Sequence, residues 1–449
     1  MSTSSERSRI AARYSLDTTQ TNAVIYCLDR LYTLLVAPKG KGKTRMGLAV
    51  AAETEGRTLI VCPAKVKSGW VEEGLKHGLQ VHILDGDAKR RELDAINPTK
   101  RFCVISADLL PWLYKERLHG EFDGLIIDET SRFSTAGNKG VKALRHAHKL
   151  FDWVLGLTAN PVMEKPLALY GQALVIDGGA SLGTRFDRFK QTYFFPEDFE
   201  QRKWSLQPGA EDRLARAVAD LVCVVSEDGY EDSLAELKEQ IIHARGHGNF
   251  WRHYDTLIDD LALEIDGEDV EAANEAVLSG KLEQLTQGGV YKENGNYKGL
   301  NRIKEKRLHG LVASADGPVV IVYCFIFELE MLRKLFPHGR DLKDTGALEA
   351  FQFGDLDVLF MHPRSGSHGL NLQYRCHEMI CLKPFWSADG WDQVIGRIRR
   401  RGQPHPWVRR RTLVIPGSID EIILDRIQQK ADTAQSVMEH IKRRSGACS

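Results

Sequence analysis

The stretch Ala37-Pro-Lys-Gly-Lys-Gly-Lys43-Thr44 fits the phosphate-loop pattern, in which a small residue and four variable positions precede Gly-Lys-Thr. Small residues let backbone N–H groups curl around a polyphosphate, the lysine reaches the β- and γ-phosphates, and the threonine hydroxyl ligates Mg²⁺. An apolar strand candidate, Tyr32 to Val36, precedes the loop, and a helix candidate, Arg45 to Glu53, follows it. The positive end of that helix would face the same anion. The alternative interpretation is a surface turn rich in lysine and glycine.

Short apolar runs alternate with helical or polar stretches through the N-terminal part of the chain. The strand candidates are Leu31–Val36, Thr58–Cys62, His82–Leu84, Phe102–Ser106, Gly124–Ile127 and Trp153–Leu157. This alternation predicts a parallel sheet with helices on both faces. Ligands of such sheets bind at the carboxyl ends of the strands. The phosphate loop, Asp128 and Thr158 each follow a strand candidate, so we expect them at one edge.

A second alternation of strands and helices begins at Gly317. Its strand candidates are Val319–Cys324, Val358–Met361, Glu378–Leu382 and Arg411–Ile415, and its helix candidates are Phe327–Phe336 and Ile419–Arg443. The segment between the two alternations shows apolar residues at helical spacing, first Leu234, Leu237 and Ile241 and then Phe250, Tyr254, Leu257 and Leu261. Such stripes are typical of the core-facing sides of helices, so this segment is predicted to be mainly helical.

The length of 449 residues is too great for one hydrophobic core. We predict an α/β protein with two parallel-sheet lobes and a mainly helical segment between them. The predicted boundaries are 1–201 for an N-terminal ATP-binding lobe, 202–311 for the linking segment and 312–449 for a C-terminal lobe.

Charge is balanced in total but not in distribution. Lysine plus arginine and aspartate plus glutamate each number 61, so the net charge indicates no partner. Residues 227–275 hold fifteen acidic residues against three basic ones, whereas residues 375–449 hold fourteen basic against eight acidic. A polyanion would favour the second region and avoid the first.

The cysteine pattern and the N-terminus bear on the cellular compartment. The eight cysteines form no Cys-x-x-Cys pair, and several lie in apolar runs where buried free thiols are expected. Cys376 and Cys381 with His377 and His405 lack the spacing of a zinc site. The sequence shows neither a signal peptide nor an apolar run long enough for a membrane span. We therefore predict a cytoplasmic protein, located in the host cytoplasm if a phage encodes it.

The run Leu125-Ile-Ile-Asp128-Glu129 is an apolar strand that ends in two carboxylates. In a phosphate-loop nucleotidase the aspartate holds Mg²⁺, largely through water, and the adjacent glutamate orients and deprotonates the attacking water. An isolated Asp-Glu pair after a strand more often caps a helix. Its position after a phosphate loop, at the mouth of the same predicted sheet, favours the catalytic interpretation.

A basic segment, Trp391 to Gln403, is predicted to form a helix capped within Ser387–Asp389. Gln393, Arg397 and Arg400 are spaced i, i+4 and i+7 and would share one helix face. Guanidinium groups there suit the dispersed charge of a transferring γ-phosphoryl, as arginine fingers do. The alternative is a solvated basic helix end. Arg401 is also i+4 from Arg397, so the spacing leaves open which arginines face a nucleotide.

Taken together, these motifs resemble those of superfamily-two helicase-like ATPases, and particularly the compact phage and bacterial forms of the Swi/Snf-type DNA translocases. The matching stretches, in chain order, are Thr18–Gln20, Ala37–Thr44, Leu59–Ala64 with Trp70, Asp128–Glu129, Leu157–Pro161, Ser279–Leu285, Val319–Phe325, Gly366–Leu372 and Gln393–Gln403. The second motif continues with Thr130-Ser131, where the family often has Gly-His or Ala-His, and Asn160 replaces a usual threonine. Arg409-Arg-Arg411 matches no motif and is either a DNA contact or a solvated strand edge.

The resemblance implies two RecA-like lobes with ATP and Mg²⁺ bound in the cleft between them. It assigns catalysis to Glu129, Asp128, Lys43, Arg397, Arg400 and Gln393. It assigns nucleotide contacts to Gln20, which would read the adenine, to Pro38, Lys39, Gly40, Lys41, Gly42, Lys43 and Thr44 of the loop, and to Gly369. Thr44 and Asp128 are the implied Mg²⁺ ligands.

The resemblance also implies ATP hydrolysis that DNA stimulates and that drives movement along duplex DNA. The duplex would be held through its phosphates, without sequence preference. The candidate DNA contacts are Lys65, Lys67, Ser106, Ser365 and Ser367, with ordinary loop roles as equal alternatives. Two rivals stay open: an ATP-switched DNA-binding or loading module with negligible turnover, and a strand-separating DNA or RNA helicase. A monomer without a membrane partner is expected.

Overall fold

The computed structural model describes residues 4–134, 137, 139–162, 165–201, 203–226, 234–259, 262–265, 268–271, 275–292, 294–363 and 370–444. The chain divides into two compact units. The first unit comprises Met1–Glu231 and Lys430–Ser449, and the second comprises Asp232–Gln429. Each unit is built on a parallel sheet with helices, which confirms the predicted α/β class with two lobes. The finer division at residues 201 and 311 stays a prediction.

The first unit is organised around a seven-stranded parallel sheet. Its strands and one antiparallel hairpin (β7 and β8) are β1 (Tyr32–Val36), β2 (Thr58–Cys62), β3 (Val81–Ile83), β4 (Phe102–Ser106), β5 (Gly124–Asp128), β6 (Trp153–Thr158), β7 (Phe194–Pro196), β8 (Trp204–Leu206) and β9 (Val222–Val224). The order across the sheet is β3-β4-β2-β5-β6-β1-β9. All six strand candidates of this region are strands, with ends that differ by at most one residue.

Helices pack on both faces of this sheet. They are α1 (Ser4–Tyr14), α2 (Thr18–Leu28), α3 (Lys43–Glu53), α4 (Lys67–Lys76), α5 (Ala88–Ile96), α6 (Leu110–Lys115), α7 (Lys139–Leu144), α8 (Ala147–Leu150), α9 (Ala168–Asp177), α10 (Phe186–Tyr193) and α11 (Ala210–Ala217). Alternate strand residues point to opposite faces. Leu34 and Val36 accordingly enter one hydrophobic core, and Leu35 between them enters another.

The second unit contains a six-stranded parallel sheet in the order β10-β19-β18-β15-β17-β16. Its strands, with two antiparallel hairpins (β11–β12 and β13–β14), are β10 (Glu236–His243), β11 (Ala262–Ile265), β12 (Glu268–Glu271), β13 (Gly289–Tyr291), β14 (Tyr297–Gly299), β15 (Val319–Val322), β16 (Arg340–Asp341), β17 (Val358–Met361), β18 (Glu378–Cys381) and β19 (Trp407–Val414). The helices are α12 (Gly248–Asp259), α13 (Glu275–Thr286), α14 (Glu305–Ala313), α15 (Ile326–Leu335), α16 (Ala347–Phe353) and α17 (Ala388–Ile395). The last helix, α18 (Ile419–Arg444), begins in this unit, and its residues from Lys430 onward belong to the first unit.

The strand β10 corrects one prediction for the middle of the chain. Leu237 and Ile241 were expected on a helix, but they lie in β10, which pairs in parallel with β19 from Glu236↔Trp407 to His243↔Val414. A spacing of four is an even number, so it places two residues on one face of a strand as well as of a helix. The second stripe is helical as predicted, because Phe250, Tyr254 and Leu257 are buried along α12. Leu261 lies outside the described residues.

Candidate nucleotide-binding site

The phosphate loop connects β1 to α3. Gly40 and Gly42 have φ angles of +84° and +76°, in the left-handed region that favours glycine. A Cβ atom on Gly42 would lie 2.7 Å from Gln20 Nε2, so the loop has no room for a side chain there. Helix α3 begins at Lys43 directly after the loop, so its first N–H groups lack helical partners and face the loop. This geometry suits an anion.

Gln20 holds the phosphate loop in place. Its Nε2 donates to the Lys41 carbonyl across 2.9 Å, and its Oε1 accepts from the Asp17 backbone N–H across 2.9 Å. The Asp17 carboxylate in turn pairs with Lys41 Nζ at 3.1 Å. Burial opposes ionisation of Asp17, but hydrogen bonds from Gln20 and Thr19 outweigh it and lower its pKa. The adenine-reading role of Gln20 stays a prediction, and the observed contacts give Gln20 a loop-positioning role.

Lys43 folds back over the loop that it follows. Its Nζ donates to the carbonyl of Ala37 across 2.8 Å and to that of Pro38 across 3.2 Å. Thr44 lies next to it in the first turn of α3 and is partly exposed. The ammonium and the hydroxyl are therefore both at the start of α3, where the phosphate-loop pattern requires them.

The strand register brings the expected residues to one sheet edge. Val36, the last residue of β1, pairs with Thr158 of β6, and Asp128, the last residue of β5, pairs with Leu157 of β6. The Ala37 N–H also donates to the Thr158 carbonyl across 3.0 Å. The phosphate loop, Asp128 and Thr158 therefore share the carboxyl edge of the first sheet, which is where parallel sheets bind ligands.

Both carboxylate oxygens of Asp128 have protein partners. Trp70 of α4 donates its indole N–H to Oδ2 across 3.0 Å, and the Glu129 backbone N–H donates to Oδ1 across 3.0 Å. Asp128 is only 7% exposed, so these bonds fix its orientation. The Asp128 carboxylate and the Thr44 hydroxyl supply oxygen ligands, the kind that Mg²⁺ prefers.

Glu129 has an unusual backbone for a glutamate. Its φ angle is +55°, in the left-handed region, and this conformation costs of order 1–3 kcal/mol for a residue other than glycine. The residue sits at the turn that leaves β5 and is partly exposed. Strain of this kind is commonly found at active sites.

The basic segment of the second unit differs from the prediction. The Ser387 side chain caps α17 as expected, accepting from Gly390 N–H. The helix ends at Ile395, however, so Arg397 and Arg400 lie in the turns that follow Gly396 rather than on one helix face with Gln393. Gly396 caps the helix with φ −62°, so it does not use the left-handed conformation open to glycine, and the local contribution to the helix end is the low helix propensity of glycine.

The two arginines have different surroundings in those turns. Arg397 is 9% exposed, whereas Arg400 is more open and donates through Nη1 to the Leu370 carbonyl across 3.3 Å. Gln403 anchors the end of the segment by donating through Nε2 to the carbonyls of Cys376 and Ile398, across 2.9 Å and 3.0 Å.

The run of arginines at 409–411 is mostly internal. Arg410 forms an ion pair with Glu239 and lies 4.0 Å from the Trp391 ring centroid, while Arg411 pairs with Glu378 at 3.2 Å. Both are buried, and β19 lies between β10 and β18 rather than at an edge. Neither of these arginines is therefore a DNA contact or part of a solvated strand edge. Their charges pair with carboxylates of the second unit, of which Glu378 is buried and Glu239 is half-exposed.

The candidate DNA contacts are only partly described. Lys65 is exposed, Lys67 pairs with Asp85 at 2.7 Å, and Ser106 is buried, where its hydroxyl accepts from the Asp108 N–H. Ser365, Ser367 and the predicted nucleotide contact Gly369 lie outside the described residues. The DNA-contact roles stay predictions.

The chain is similar in sequence to known proteins. No family model matches the chain. The p41 protein of Acyrthosiphon pisum secondary endosymbiont phage 1 is 27% identical over an aligned region that covers 93% of this chain and 97% of p41. A SWI/SNF-related matrix-associated actin-dependent regulator of chromatin subfamily A-like protein 1 homolog of Caenorhabditis elegans is 25% identical over 178 residues, 39% of this chain and 26% of that protein. The resemblance to the Swi/Snf-type ATPases is confirmed.

A solved structure is also similar. The Sulfolobus solfataricus SWI2/SNF2 ATPase core in complex with dsDNA aligns with 95% of this chain, at 16% identity and a TM-score of 0.44. 

The positions that depart from the Swi/Snf-type pattern have clear local partners. The Thr130 hydroxyl donates to Gln172 Oε1 across 2.8 Å, and Asn160 Oδ1 accepts from the Val162 N–H across 3.0 Å. Thr130 and Asn160 therefore both form hydrogen bonds within the first unit.

Two residues of this region were not recognised in these roles from the sequence. Trp70 was noted only as part of a motif, and its bond to Asp128 joins α4 to β5. Gln172 was not noted at all, although it stands alone among mainly apolar residues in α9. A single glutamine in such a run is a usable signal, because a buried amide needs hydrogen-bond partners.

The described residues also bear on metal binding and membrane insertion. Among the described residues, no three histidines, cysteines, aspartates or glutamates are grouped as a metal site. A Mg²⁺ ion at Thr44 and Asp128 would therefore complete its coordination with nucleotide phosphates and water, as Mg²⁺ commonly does. In the described part of the chain, no helix has the length and apolar character to cross a membrane.

Proposed function

We propose that this chain is a DNA-stimulated ATPase that moves along duplex DNA. The observation that supports it most strongly is the phosphate loop with Asp128 and Glu129 at the same edge of the first sheet. The sequence similarity to a Swi/Snf-related protein supports the same class of enzyme.

In this proposal each residue of the first unit has a separate task. Lys43 neutralises the β- and γ-phosphates, and the N–H groups of the loop bind the same oxygens. Thr44 and Asp128 hold Mg²⁺, which when bound neutralises phosphate charge. Glu129 accepts a proton from the water that attacks the γ-phosphorus. The bond from that phosphorus to the bridging oxygen then breaks, and ADP and phosphate form.

Arg397 and Arg400 are proposed to act on the same nucleotide as arginine fingers. Guanidinium groups stabilise the charge that spreads over the γ-phosphoryl oxygens during transfer. The Gln403 anchor and the Arg400–Leu370 bond restrict this segment, which limits the entropy lost when the arginines engage. Gln393, on α17, is proposed to take part in catalysis together with the two arginines.

DNA is proposed to be the polymer along which the enzyme moves. The motif set and the charge distribution support this proposal. Residues 375–449 hold more basic than acidic residues, and those basic side chains that are exposed, which leaves out the buried Arg410 and Arg411, favour a polyanion. Contacts to phosphates alone would give binding that is sensitive to salt and insensitive to sequence. ATP-dependent motion of such an enzyme would displace a third strand from a triplex without unwinding a blunt duplex.

The test is ATP turnover with single-stranded DNA, blunt duplex, branched DNA and RNA, together with displacement of a third strand annealed in the major groove. We expect the greatest stimulation from duplex DNA and ATP-dependent triplex displacement. Lys43→Ala should abolish both, and Lys89→Ala, which removes an exposed lysine of α5, serves as a control. Efficient fork unwinding without triplex displacement would assign a conventional helicase instead, and stimulation by RNA alone an RNA-dependent ATPase.

A further inference from the structure

A chain of buried hydrogen bonds links the segment after Glu129 to the loop after β6. The Thr130 hydroxyl donates to Gln172 Oε1 across 2.8 Å. Gln172 Nε2 donates to the Pro161 carbonyl across 2.6 Å and to the Ala168 carbonyl across 3.1 Å. Thr130 and Gln172 are both 0% exposed. We call Thr130, Gln172 and the Pro161 carbonyl the relay.

The relay has only one arrangement that satisfies its polar atoms. Both amide hydrogens of Gln172 face carbonyls, so its oxygen is left to accept from Thr130. The single hydroxyl proton of Thr130 is thereby committed to Gln172. Buried polar groups are costly to leave unpaired, so a shift at one end of the relay must move the other end or break a bond.

The two ends of the relay adjoin the nucleotide site. Thr130 follows Glu129, whose strained backbone leaves β5. Pro161 lies three residues after Thr158, and the Thr158 carbonyl accepts from the N–H of Ala37 at the start of the phosphate loop. The relay therefore joins the Glu129 turn to the loop at 158–162, while the Thr158–Ala37 bond joins that loop to the phosphate loop.

We propose that Gln172 is a positioning residue that couples the orientation of Glu129 to the 158–162 loop. The Thr130 hydroxyl is the donor at one end of the relay, so the coupling depends on that side chain. The inference rests on the proposed function for its kinetic consequence. Breaking the relay should leave ATP binding intact. The Glu129 side chain should then move away from the orientation in which it accepts a proton from the attacking water.

The kinetic test uses Thr130→Val and Gln172→Leu, which remove the polar groups at similar volume. Each should lower kcat on the order of 10- to 100-fold, since a misplacement of about 1 Å can cost about 10²-fold, with little change in KM for ATP. The double variant should be no slower than Gln172→Leu alone, because that variant already lacks the Thr130–Gln172 bond. Thr130→Ser keeps the hydroxyl and should restore kcat.

Thr33→Val is the matched control. Thr33 is also buried in β1 of the same sheet, at 2% exposed, and its hydroxyl has no hydrogen-bond partner among the described residues. Its replacement should therefore leave kcat unchanged. Additive losses in the double variant, or a Thr130→Val variant with the kcat of Thr33→Val, would overturn the relay.

Hydrogen exchange provides a readout that does not depend on turnover. With a non-hydrolysable ATP analogue, the wild-type amide of Val162, bonded to Asn160, should gain protection together with that of Glu129. In Gln172→Leu the gain at Val162 should persist, because the Thr158–Ala37 bond still joins its loop to the phosphate loop, while the gain at Glu129 should disappear. Equal gains in both proteins would overturn the inference even if the wild type hydrolyses ATP. A wild type that binds the analogue but never turns over would instead overturn the proposed function, and the exchange result would still decide the relay.

Discussion

The indole N–H of Trp70 donates to Oδ2 of Asp128 across 3.0 Å, and both residues are buried. This bond ties helix α4 to the last residue of β5. The Trp70 ring also packs against α3, where a Cβ on Gly47 would lie 3.1 Å from its Cη2 atom. The carboxylate proposed to hold Mg²⁺ is therefore oriented by a rigid aromatic side chain before any ligand binds.

Trp70→Phe should weaken the response to Mg²⁺. The substitution keeps most of the packing but removes a hydrogen bond worth about 1 kcal/mol, or roughly a factor of five in an equilibrium constant. We expect the Mg²⁺ concentration for half-maximal ATP turnover to rise by about that factor, while nucleotide affinity without Mg²⁺ stays the same. Trp112→Phe, on α6 and away from Asp128, is the control. An unchanged Mg²⁺ titration would show that Asp128 does not depend on the indole.

The backbone strain at Glu129 should lower the stability of the fold, while its carboxylate should be needed for ATP turnover. Glycine relieves the left-handed strain at φ +55°, which costs of order 1–3 kcal/mol in other residues. Glu129→Gly should therefore melt at a higher temperature than Glu129→Ala, although neither variant turns over ATP. Glu129→Gln should keep ATP binding and lose about 10²-fold or more in rate, as expected for loss of the general base. Calorimetry and turnover assays check the two parts, and an alanine variant at least as stable as the glycine variant would exclude the strain.

Arg410 should position the segment that carries the proposed arginine fingers. It pairs with Glu239, donates to the Trp391 carbonyl across 3.3 Å and stacks on that ring, and Trp391 belongs to α17, which leads to Arg397. Arg410→Met should lower kcat by about tenfold, following the cost of misplaced catalytic groups, with KM for ATP little changed. Arg409→Gln is the control, since Arg409 is on the same strand but pairs with Glu378. Equal kcat values in the two variants would contradict this role.

Acid should weaken the contact between α3 and α4. Burial alone would raise the pKa of Glu73, but hydrogen bonds from Lys76 and Arg45 outweigh it and lower the pKa to about 2. Because the folded-state pKa lies below the ordinary value of 4.5, the carboxylate stabilises the fold above about pH 4.5, and this stabilisation is lost as the pH falls toward 2. Glu73→Gln should be less stable at neutral pH and should show a shallower decline in acid. Parallel melting-temperature curves for the two proteins would contradict the shift.

The fold was predictable where the pattern was strictly local. The strand ends at Val36, Cys62 and Ser106 match because each buried run is bounded by loop-forming residues. The strand β10 was missed because its partner β19 lies more than 160 residues away in sequence, and a spacing of four residues does not distinguish a strand from a helix. Long-range pairing is the information that local periodicity lacks.

The residue types of the candidate site were predictable from the sequence, but the side chains that position them were not. The phosphate loop and the Asp128–Glu129 pair follow from motif chemistry, whereas the bonds from Trp70 and Gln172 depend on how α4 and α9 pack on the sheet. The end of α17 at Ile395 was missed because residue spacing was given more weight than the low helix propensity of Gly396.

The most direct test of the proposed function is the rate of ATP turnover measured against increasing blunt duplex DNA, with wild type and Glu129→Gln side by side. We predict that wild-type kcat rises to a plateau with duplex concentration, that higher salt shifts the midpoint upward, and that Glu129→Gln stays near the DNA-free baseline while still binding ATP. A wild-type rate that is the same with and without duplex, or a Glu129→Gln rate equal to the wild-type rate, would contradict the account.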